Sequence, residues 1–475
     1  SFITFFMQEA DDTRQIISQK NKIQAGSPKI EIIEPCVLNN GIIELSKVEQ
    51  SELMKLFQED KQELMFFIPA SGSGSRMFDF LNSSASDAYL EKDEKVTKFL
   101  NELESFAFCD DELKSLYVKW KEGAIDSREL ISNVIGPLGK NFSKLPKGLI
   151  PFHSLEEGVL NSFQEHVLQG SLLSKNSRFH FTIQELFEEN FLSSLADLEN
   201  RFEKEYDVSF SVQNSDSDAY AFDKSLQEIP LKKGGFLRRP SGHGALLENL
   251  INIDNKVVLI KNIDNVQHLY SSDKTVEIWK ILCGLLFRVK TQLKHIYDNP
   301  SLESLLEFNK RYQLYTSDQL DIEPNRDSIK NLINRPLRIS GMVKNQGKAG
   351  GGPFFVKDKN GRVSKQIIEG AQVSNEIEQQ KLMSQSTHFN PVMMVLDVYD
   401  FEGKKHDLKN FRNDENYFVV NKKYDGEDIS FVELPGLWNG AMYDWNTVFV
   451  EIPLETFTPV KTVLDLLDSN HQLKN

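Results

Sequence analysis

The sequence predicts an α/β fold with a mostly parallel central sheet, and three observations predict it. Leu64–Pro69 is a short apolar run (Leu-Met-Phe-Phe-Ile-Pro) that feeds straight into a Gly/Ser loop. Residues 257–260 are four aliphatic residues in a row, the pattern of a strand buried on both faces. Strand-like and helix-like segments then alternate over most of the 475 residues, as parallel sheets with crossover helices require.

Taken in order, residues 8–60 read as helical and polar, apart from an extended piece at 30–33. Residues 1–60 are therefore expected to form an N-terminal helical extension to an α/β domain spanning 61–475. After the 64–69 strand, a helix is expected from Arg76. Residues 86–136 alternate charge and apolar positions at helical spacing, as in Glu91-Lys92-Asp93-Glu94-Lys95, so 84–144 is expected to be a helical insertion without a strand. Residues 179–183 and 208–212 read as strands, and 213–218 as a polar loop. A long helix follows at 275–296. Residues 337–368 are β-rich and broken by Gly350, Gly351 and Gly352. Strands at 392–398 and 447–452 and a closing helix at 460–467 complete the chain. There is no internal repeat and no low-complexity tract.

Composition narrows the function classes. Apolar residues make up 40% and charged residues 26%, ordinary for a globular protein. The 33 phenylalanines read as core. A net charge of −15 without a dense Lys/Arg run argues against DNA or RNA as a partner. It leaves room for a phosphate in a locally basic pocket. Cys36, Cys109 and Cys283 are isolated, so they form neither a disulfide framework nor a zinc pair, and a reducing, cytoplasmic location is expected. No apolar stretch is long enough to suggest a membrane span. The start, Ser-Phe-Ile-Thr-Phe-Phe-Met, lacks the basic region of a signal peptide. The nine histidines are scattered, without HExxH, and no nucleophile elbow stands between a strand and a helix.

Four segments carry the chemistry. Ala70-Ser-Gly72-Ser-Gly74-Ser-Arg76-Met77 joins a strand to a helix start. Its glycines admit a phosphate close to the backbone, and Arg76 can add a bidentate contact. No Lys-Ser/Thr follows, so it is not a Walker A loop; otherwise it is a flexible turn. Leu145-Pro146-Lys147-Gly-Leu-Ile-Pro151-Phe-His153 fixes a lysine between prolines, as a phosphate contact or a solvated surface charge. Arg239-Pro-Ser-Gly242-His243-Gly244 lets a flat group such as a nucleobase lie on the backbone, or is a helix start capped by Ser241. Residues 258–265 end a buried strand in Asp264 and Asn265. Ligands of α/β sheets gather at carboxyl ends of strands, and an aspartate there can hold Mg²⁺ with substrate phosphates; an Asx-turn is the plainer alternative. Two further segments are weaker: the five glycines of 341–352 beside Lys344 and Asn345, and Phe457-Thr-Pro-Val-Lys461.

The order Gly-x-Gly-Ser-Arg-Met, Pro-Lys-Gly-Leu-Ile-Pro, Pro-Ser-Gly-His-Gly, Asn-Ile-Asp-Asn resembles the sugar-1-phosphate nucleotidyltransferases. It looks most like the UDP-glucose and UDP-sugar pyrophosphorylases. The end, Phe-Thr-Pro-Val-Lys461-Thr-Val-Leu-Asp-Leu-Leu, is similar to their C-terminal lysine motif. Nearly the whole chain resembles the bacterial family catalogued as domain of unknown function 4301, through residues 68–77, 341–353 and 434–453. The pyrophosphorylase likeness covers scattered motifs. It implies a nucleotide-diphospho-sugar transferase-like fold and a nucleoside triphosphate and a sugar phosphate as partners. It also implies roles. Gly72, Gly74 and Arg76 would hold the triphosphate, Lys147 a phosphate, and Gly242 and His243 the base. Asp264 would bind Mg²⁺. Glu369 would touch the sugar, with Asn345 nearby in the glycine loop, and Lys461 would neutralise the transferring group. The sequence departs from the pattern in three places. About 70 residues separate Arg76 from Lys147, where a short loop is usual. Ser75 stands where Thr is common, and Lys348 where Glu is expected. Two other readings stand beside this one. One is a nucleotide or nucleotide-sugar binding protein without catalysis. The other is a glycosyltransferase using Asp216-Ser217-Asp218 as a metal motif.

Overall fold

A computed structural model describes residues 2–82, 92–213, 218–347 and 350–473. Its internal contacts separate two units. The first comprises Ser1–Glu49, Gln213–Lys256 and Leu285–Glu451. The second comprises Gln50–Val212, Val257–Gly284 and Ile452–Asn475.

The second unit is built on four mutually parallel strands in the order Val257–Lys261, Leu64–Pro69, Ser177–Ile183, Val208–Val212. Leu64 lies opposite both Val257 and Ser177. Leu64–Pro69 and Val257–Lys261 are buried over nearly their whole length, which is why their sequences are nearly continuous apolar runs instead of alternating ones. Phe66 stacks on Phe179 at 5.4 Å and meets Trp279 edge-on. A Cβ at Gly170 would come within 2.4 Å of the Phe179 ring, so the helix Ser162–Leu173 rests on this sheet through a residue without a side chain.

Between Arg76 and Lys147 the described residues hold the helices Glu94–Asn101, Asp111–Lys121 and Ser127–Ile135 and no strand. Each starts on an aspartate (Asp93, Asp110, Asp126) whose carboxylate accepts first-turn amides. Their apolar faces form one cluster with Met77 and Phe78 and with Val463 and Leu466 near the C-terminus. Glu91 lies outside the described residues.

In the first unit the strands Val37–Leu38, Gly41–Ile43, Asn446–Glu451 and Leu337–Lys344 run parallel in that order. Met393–Asp397 lies antiparallel on the far side of Leu337–Lys344. A second sheet orders Glu31–Pro35, Gly352–Lys357 and Val363–Ile368 antiparallel. The hairpin Phe418–Tyr424 and Glu427–Glu433 turns at Asp425-Gly426, both at positive φ.

The sequence reading is corrected in three places. Residues 1–60 are not a helical extension. Helices Phe2–Ala25 and Lys47–Glu59 flank three strands that pair within the first unit's sheets, and the compact units divide at Glu49. Those strands have two to five residues, too short to show a period, and tertiary pairing decides them. The helix expected from Arg76 is a 3₁₀ segment, Gly74–Leu81. The closing helix is a single 3₁₀ segment, Val463–Leu467, because the Asp465 carboxylate draws in the amides of Lys461 and Thr462.

Candidate active site

The second unit joins three of the sequence motifs through one residue. The Lys147 amide donates to Gly72 O at 3.0 Å, and its ammonium donates to Asp264 Oδ2 at 3.0 Å. The Gly/Ser loop and the end of the buried strand are thereby fixed to the same lysine.

The two glycines of the loop do different things. Gly74 donates its amide to Leu145 O at 2.8 Å, and a Cβ there would stand 2.5 Å from Ile150 Cδ1 and 3.0 Å from Leu145 O. Gly74 is a packing glycine whose N–H is already used. A Cβ at Gly72 would meet nothing within 4 Å, so Gly72 is the place where a ligand can approach the backbone. Ser73 Oγ accepts the Ser75 amide at 3.1 Å, and Gln184 donates to Ser71 O, which holds the loop open. Arg76 is exposed and, among the described residues, has no ion-pair partner.

Asp264 follows the carboxyl end of Val257–Lys261. Its Oδ2 accepts from both Lys147 and Lys461, the latter at 3.1 Å. Its Oδ1 is buried without a hydrogen-bond partner. The Val460 amide donates to Asp264 O at 2.9 Å, and Lys147 also donates to Val460 O. The Thr458 amide donates to Asn265 Oδ1. The C-terminal segment that carries Lys461 is thus stitched to residues 264 and 265. Burial opposes ionisation of Asp264, but the ammonium groups of Lys147 and Lys461 outweigh it and hold the carboxyl below the usual carboxylate range. The two lysines differ in freedom: the Lys147 side chain is 13% exposed and that of Lys461 59%.

Among the described residues no three His, Cys, Asp or Glu side chains gather as a metal cage. Mg²⁺ needs none, since it is commonly held by one or two carboxylates with substrate phosphates and water. The unpartnered Asp264 Oδ1 fits such an ion as its single protein ligand. Of the alternative metal motif, Asp216 lies outside the described residues. Asp218 faces Arg238 and Arg239, whose charges oppose the upward push of burial on its pKa. Lys348 also lies outside the described residues.

The remaining sequence candidates belong to the first unit. His243 stacks on Trp438 with ring centroids 4.6 Å apart and accepts the Leu437 amide at Nδ1. A Cβ on Gly436 would come within 2.3 Å of the His243 ring, and one on Gly242 within 2.7 Å of the Glu433 carboxylate. The result is a flat His–Trp slab. Burial lowers the His243 pKa, and the nearby Glu369 carboxylate pulls it the other way. Glu369 caps the turn Gly370–Gln372, and Gln372 in turn accepts from Asn439. Asn345 is held by backbone: it donates to Ser386 O and accepts the Gly347 amide.

Sequence reading missed several residues. Trp438 and Asn439 lie in Leu434-Pro-Gly-Leu-Trp-Asn-Gly, where glycines beside a tryptophan were an available signal. Arg338, wholly buried, donates to Trp438 O and Thr447 Oγ1; burial pushes its pKa down to about 9. Nothing local in the sequence marks it. A first-unit cavity of about 670 Å³, lined by Arg335, Arg362, Arg412 and Asp444 among others, contains none of the sequence candidates. Arg335 and Asp444 precede the strands Leu337–Lys344 and Asn446–Glu451, so the cavity lies toward their amino ends, away from the ends where ligands of α/β sheets gather.

No curated protein matches the chain. Among solved structures it is similar to two variants of the UDP-glucose pyrophosphorylase of Leishmania major. One shares 12% identity at TM-score 0.43, covering 96% of this chain and 74% of that one. The other, in complex with UDP-Glc, shares 14% at TM-score 0.45, covering 98% and 77%. It is also similar to a UDP-glucose phosphorylase of Trypanosoma brucei, at 14% identity and TM-score 0.43, covering 92% and 69%. The family described as Domain of unknown function (DUF4301) matches residues 3–472, and the chain belongs to it.

Proposed function

We propose that this chain is a sugar-phosphate nucleotidyltransferase that forms a nucleotide sugar and pyrophosphate from a nucleoside triphosphate and a sugar 1-phosphate. The observation that carries the reading is the Lys147–Asp264–Lys461 cluster tied to the Gly72 loop. Two ammonium groups converge on one carboxylate oxygen while the other oxygen stays free, at the carboxyl end of a parallel strand. Such a cluster suits a polyanion in a protein of net charge −15, where local cations must do the neutralising.

A sugar-phosphate oxygen attacks the α-phosphorus in line, the bond to the β-phosphate oxygen breaks, and pyrophosphate leaves. Positioning and charge neutralisation supply most of the rate, and no covalent nucleophile is needed. Lys147, anchored on three sides, orients a phosphate. Lys461, largely exposed, exchanges Asp264 for the transferring group. Arg76 and the open face of Gly72 receive the remaining phosphates. Mg²⁺ on Asp264 Oδ1 would add charge neutralisation at phosphate oxygens. The resemblance assigns the base to Gly242 and His243 and the sugar to Glu369 and Asn345.

The test is pyrophosphate release from nucleoside triphosphates paired with sugar 1-phosphates, with and without Mg²⁺. Wild type is expected to turn over at least one pair, and Asp264→Asn to lose it while remaining folded. Tight nucleotide binding without turnover of any pair would turn the reading to a binding protein.

A further inference from the structure

The cavity of about 670 Å³ in the first unit has a charge pattern opposite to that of the whole chain. Six cations line it (Lys29, Arg335, Lys357, Lys359, Arg362 and Arg412) against three carboxylates, Asp358, Glu415 and Asp444. The chain as a whole carries 70 acidic and 55 basic residues. Charges of one sign gathered in a concave site raise the local potential for their counter-ion. The cations arrive from separate stretches. Lys29 precedes Glu31–Pro35 and Arg335 precedes Leu337–Lys344. Arg362 closes the turn between Gly352–Lys357 and Val363–Ile368, and Arg412 follows Leu408–Phe411. The fold, not a run of basic sequence, brings them together.

The lysines are already engaged. Lys29 donates to Ala371 O at 2.9 Å, Lys357 Nζ stands 3.5 Å from Glu31 and Lys359 Nζ 3.8 Å from Glu415. The arginines keep unfilled donors. Arg335 Nη1 is 3.5 Å from Asp444 O and 3.9 Å from Asp444 Oδ1, at the outer limit of a contact. Arg362 spends its backbone in the turn closed by Asp358, and among the described residues its guanidinium forms no ion pair. Arg412 Nε stands 2.5 Å from Asp414 Oδ1 but out of line for a hydrogen bond, and is buried without a hydrogen-bond partner. The carboxylates oppose an anion less than their number suggests. Asp358 Oδ1 accepts the turn amides of Asn360 and Arg362, and Glu415 faces Lys359. Burial raises the Asp444 pKa while Arg335 and Arg362 both pull it down, so two guanidinium groups act on that one carboxylate.

A guanidinium binds an oxyanion through paired N–H donors in one plane. Three such groups with unfilled donors match the three terminal oxygens of a phosphate monoester better than the two of a carboxylate. A cavity of this size takes a whole small molecule, not a bare phosphate. The rest of the wall includes the side-chain amides of Asn331 and Asn360, which both donate and accept, as hydroxyl groups require. We propose that this cavity binds a small phosphorylated polyol of the sugar-phosphate class, its phosphate on Arg335, Arg362 and Arg412 and its hydroxyls on Asn331 and Asn360. The site lies toward the amino ends of its strands and shares no residue with the Lys147–Asp264–Lys461 cluster. It does not rest on the nucleotidyltransferase reading.

The test is modification of arginines by phenylglyoxal in the full chain, mapped by peptide mass spectrometry. The protectants are glucose 6-phosphate, inorganic phosphate, glucose, and sodium chloride at matched ionic strength. Glucose 6-phosphate should protect Arg335, Arg362 and Arg412 together, with half-protection at about 1 mM or below. Inorganic phosphate should need about tenfold more, since it leaves the amides unmet. Glucose and sodium chloride should not protect, and Arg128 of the second unit should react alike throughout. Protection is read at named residues, so an anion held by the Asp264 cluster is not mistaken for one held here. In Arg362→Gln/Arg412→Gln, protection of Arg335 should need at least about tenfold more glucose 6-phosphate. Should that variant fail to fold, Arg362→Gln alone, at an exposed side chain, asks the same question. Absence of protection by glucose 6-phosphate, equal protection by sodium chloride, or an unchanged half-protection in the variant overturns the proposal. Equal half-protection by inorganic phosphate overturns the assignment to a phosphorylated polyol. Protection in a protein that releases no pyrophosphate would leave this site standing and remove the catalytic reading alone.

Discussion

Asp264 and Glu165 lie in the same unit, each carboxyl beside basic side chains, yet their pKa values move in opposite directions. Asp264 meets two lysine ammonium groups and is held ionised. Glu165 stands 3.0 Å from the buried His153 imidazole, and burial raises its pKa to about 8. Burial works against the charge in both, so burial does not decide the outcome. What decides it is whether the partner keeps its own charge when desolvated. Lys461 remains largely in water, whereas burial pushes the His153 pKa well down and disfavours its charge. An exposed cation beside a buried carboxylate makes a site a polyanion can enter.

The largest effect should come from breaking the charged side. Lys461→Ala is expected to lower turnover by roughly 10²- to 10³-fold, about 3–4 kcal/mol, as removal of a well-placed electrostatic group does. Its melting temperature should change little, because the side chain is mostly exposed. Lys147→Ala should lose comparable activity and also stability, since it removes bonds to Asp264 and Val460 O. Full turnover in a well-folded Lys461→Ala would end the assignment. Next come the two loop glycines. Gly74→Ala should destabilise by about 1–3 kcal/mol, because its Cβ would enter Ile150 and the Leu145 carbonyl. Gly72→Ala should leave stability unchanged and weaken triphosphate binding. Matching melts for the two variants would remove this division of roles.

The parts legible in the sequence are those encoded locally. Leu64–Pro69, an apolar run, and Val208–Val212, which alternates apolar residues with serine, carry their own local patterns and have the bounds the sequence predicts. Asp264, at the end of such a run, lies beside Lys147 and Lys461, although 117 and 197 residues separate them. What stayed hidden is non-local. The strands Val37–Leu38 and Gly41–Ile43 are too short to carry a period and exist because distant strands pair with them, whereas the extended piece expected at 30–33 is the start of Glu31–Pro35. The histidines looked scattered because His153 and His471 meet across 318 residues. Arg338 gave no sign because a lone arginine in an apolar strand is explained only by the carbonyl and hydroxyl it finds there.

The smallest effect sharpens the same comparison from the acid side, through His166. Its Nε2 donates to Ile263 O, one residue before Asp264, and it is wholly excluded from charge. Burial and then Lys261 push its pKa down to about 3, against the smaller opposing pull of the Ile263 carbonyl and Asp264. A histidine with a depressed folded pKa contributes stability that is present above its unfolded value, near 6.5, and is lost as pH falls toward the folded value. The unfolded chain binds the extra proton first. His153 and His471 act in the same sense. Glu165, raised, acts in the opposite one, its contribution being present below about 4.5 and lost as pH rises toward 8. Wild-type stability should therefore fall between pH 6.5 and 4, by at most about 1.4 kcal/mol per pH unit for each histidine. His166→Gln keeps the donor to Ile263 O without the titration, so its stability should fall less steeply by up to one proton's worth. Denaturant melts at pH 7, 6, 5 and 4.5 measure both slopes. Parallel slopes would mean that His166 takes up its proton inside the fold, and that the neighbourhood of Asp264 tolerates a cation where its buried surroundings are argued to exclude one.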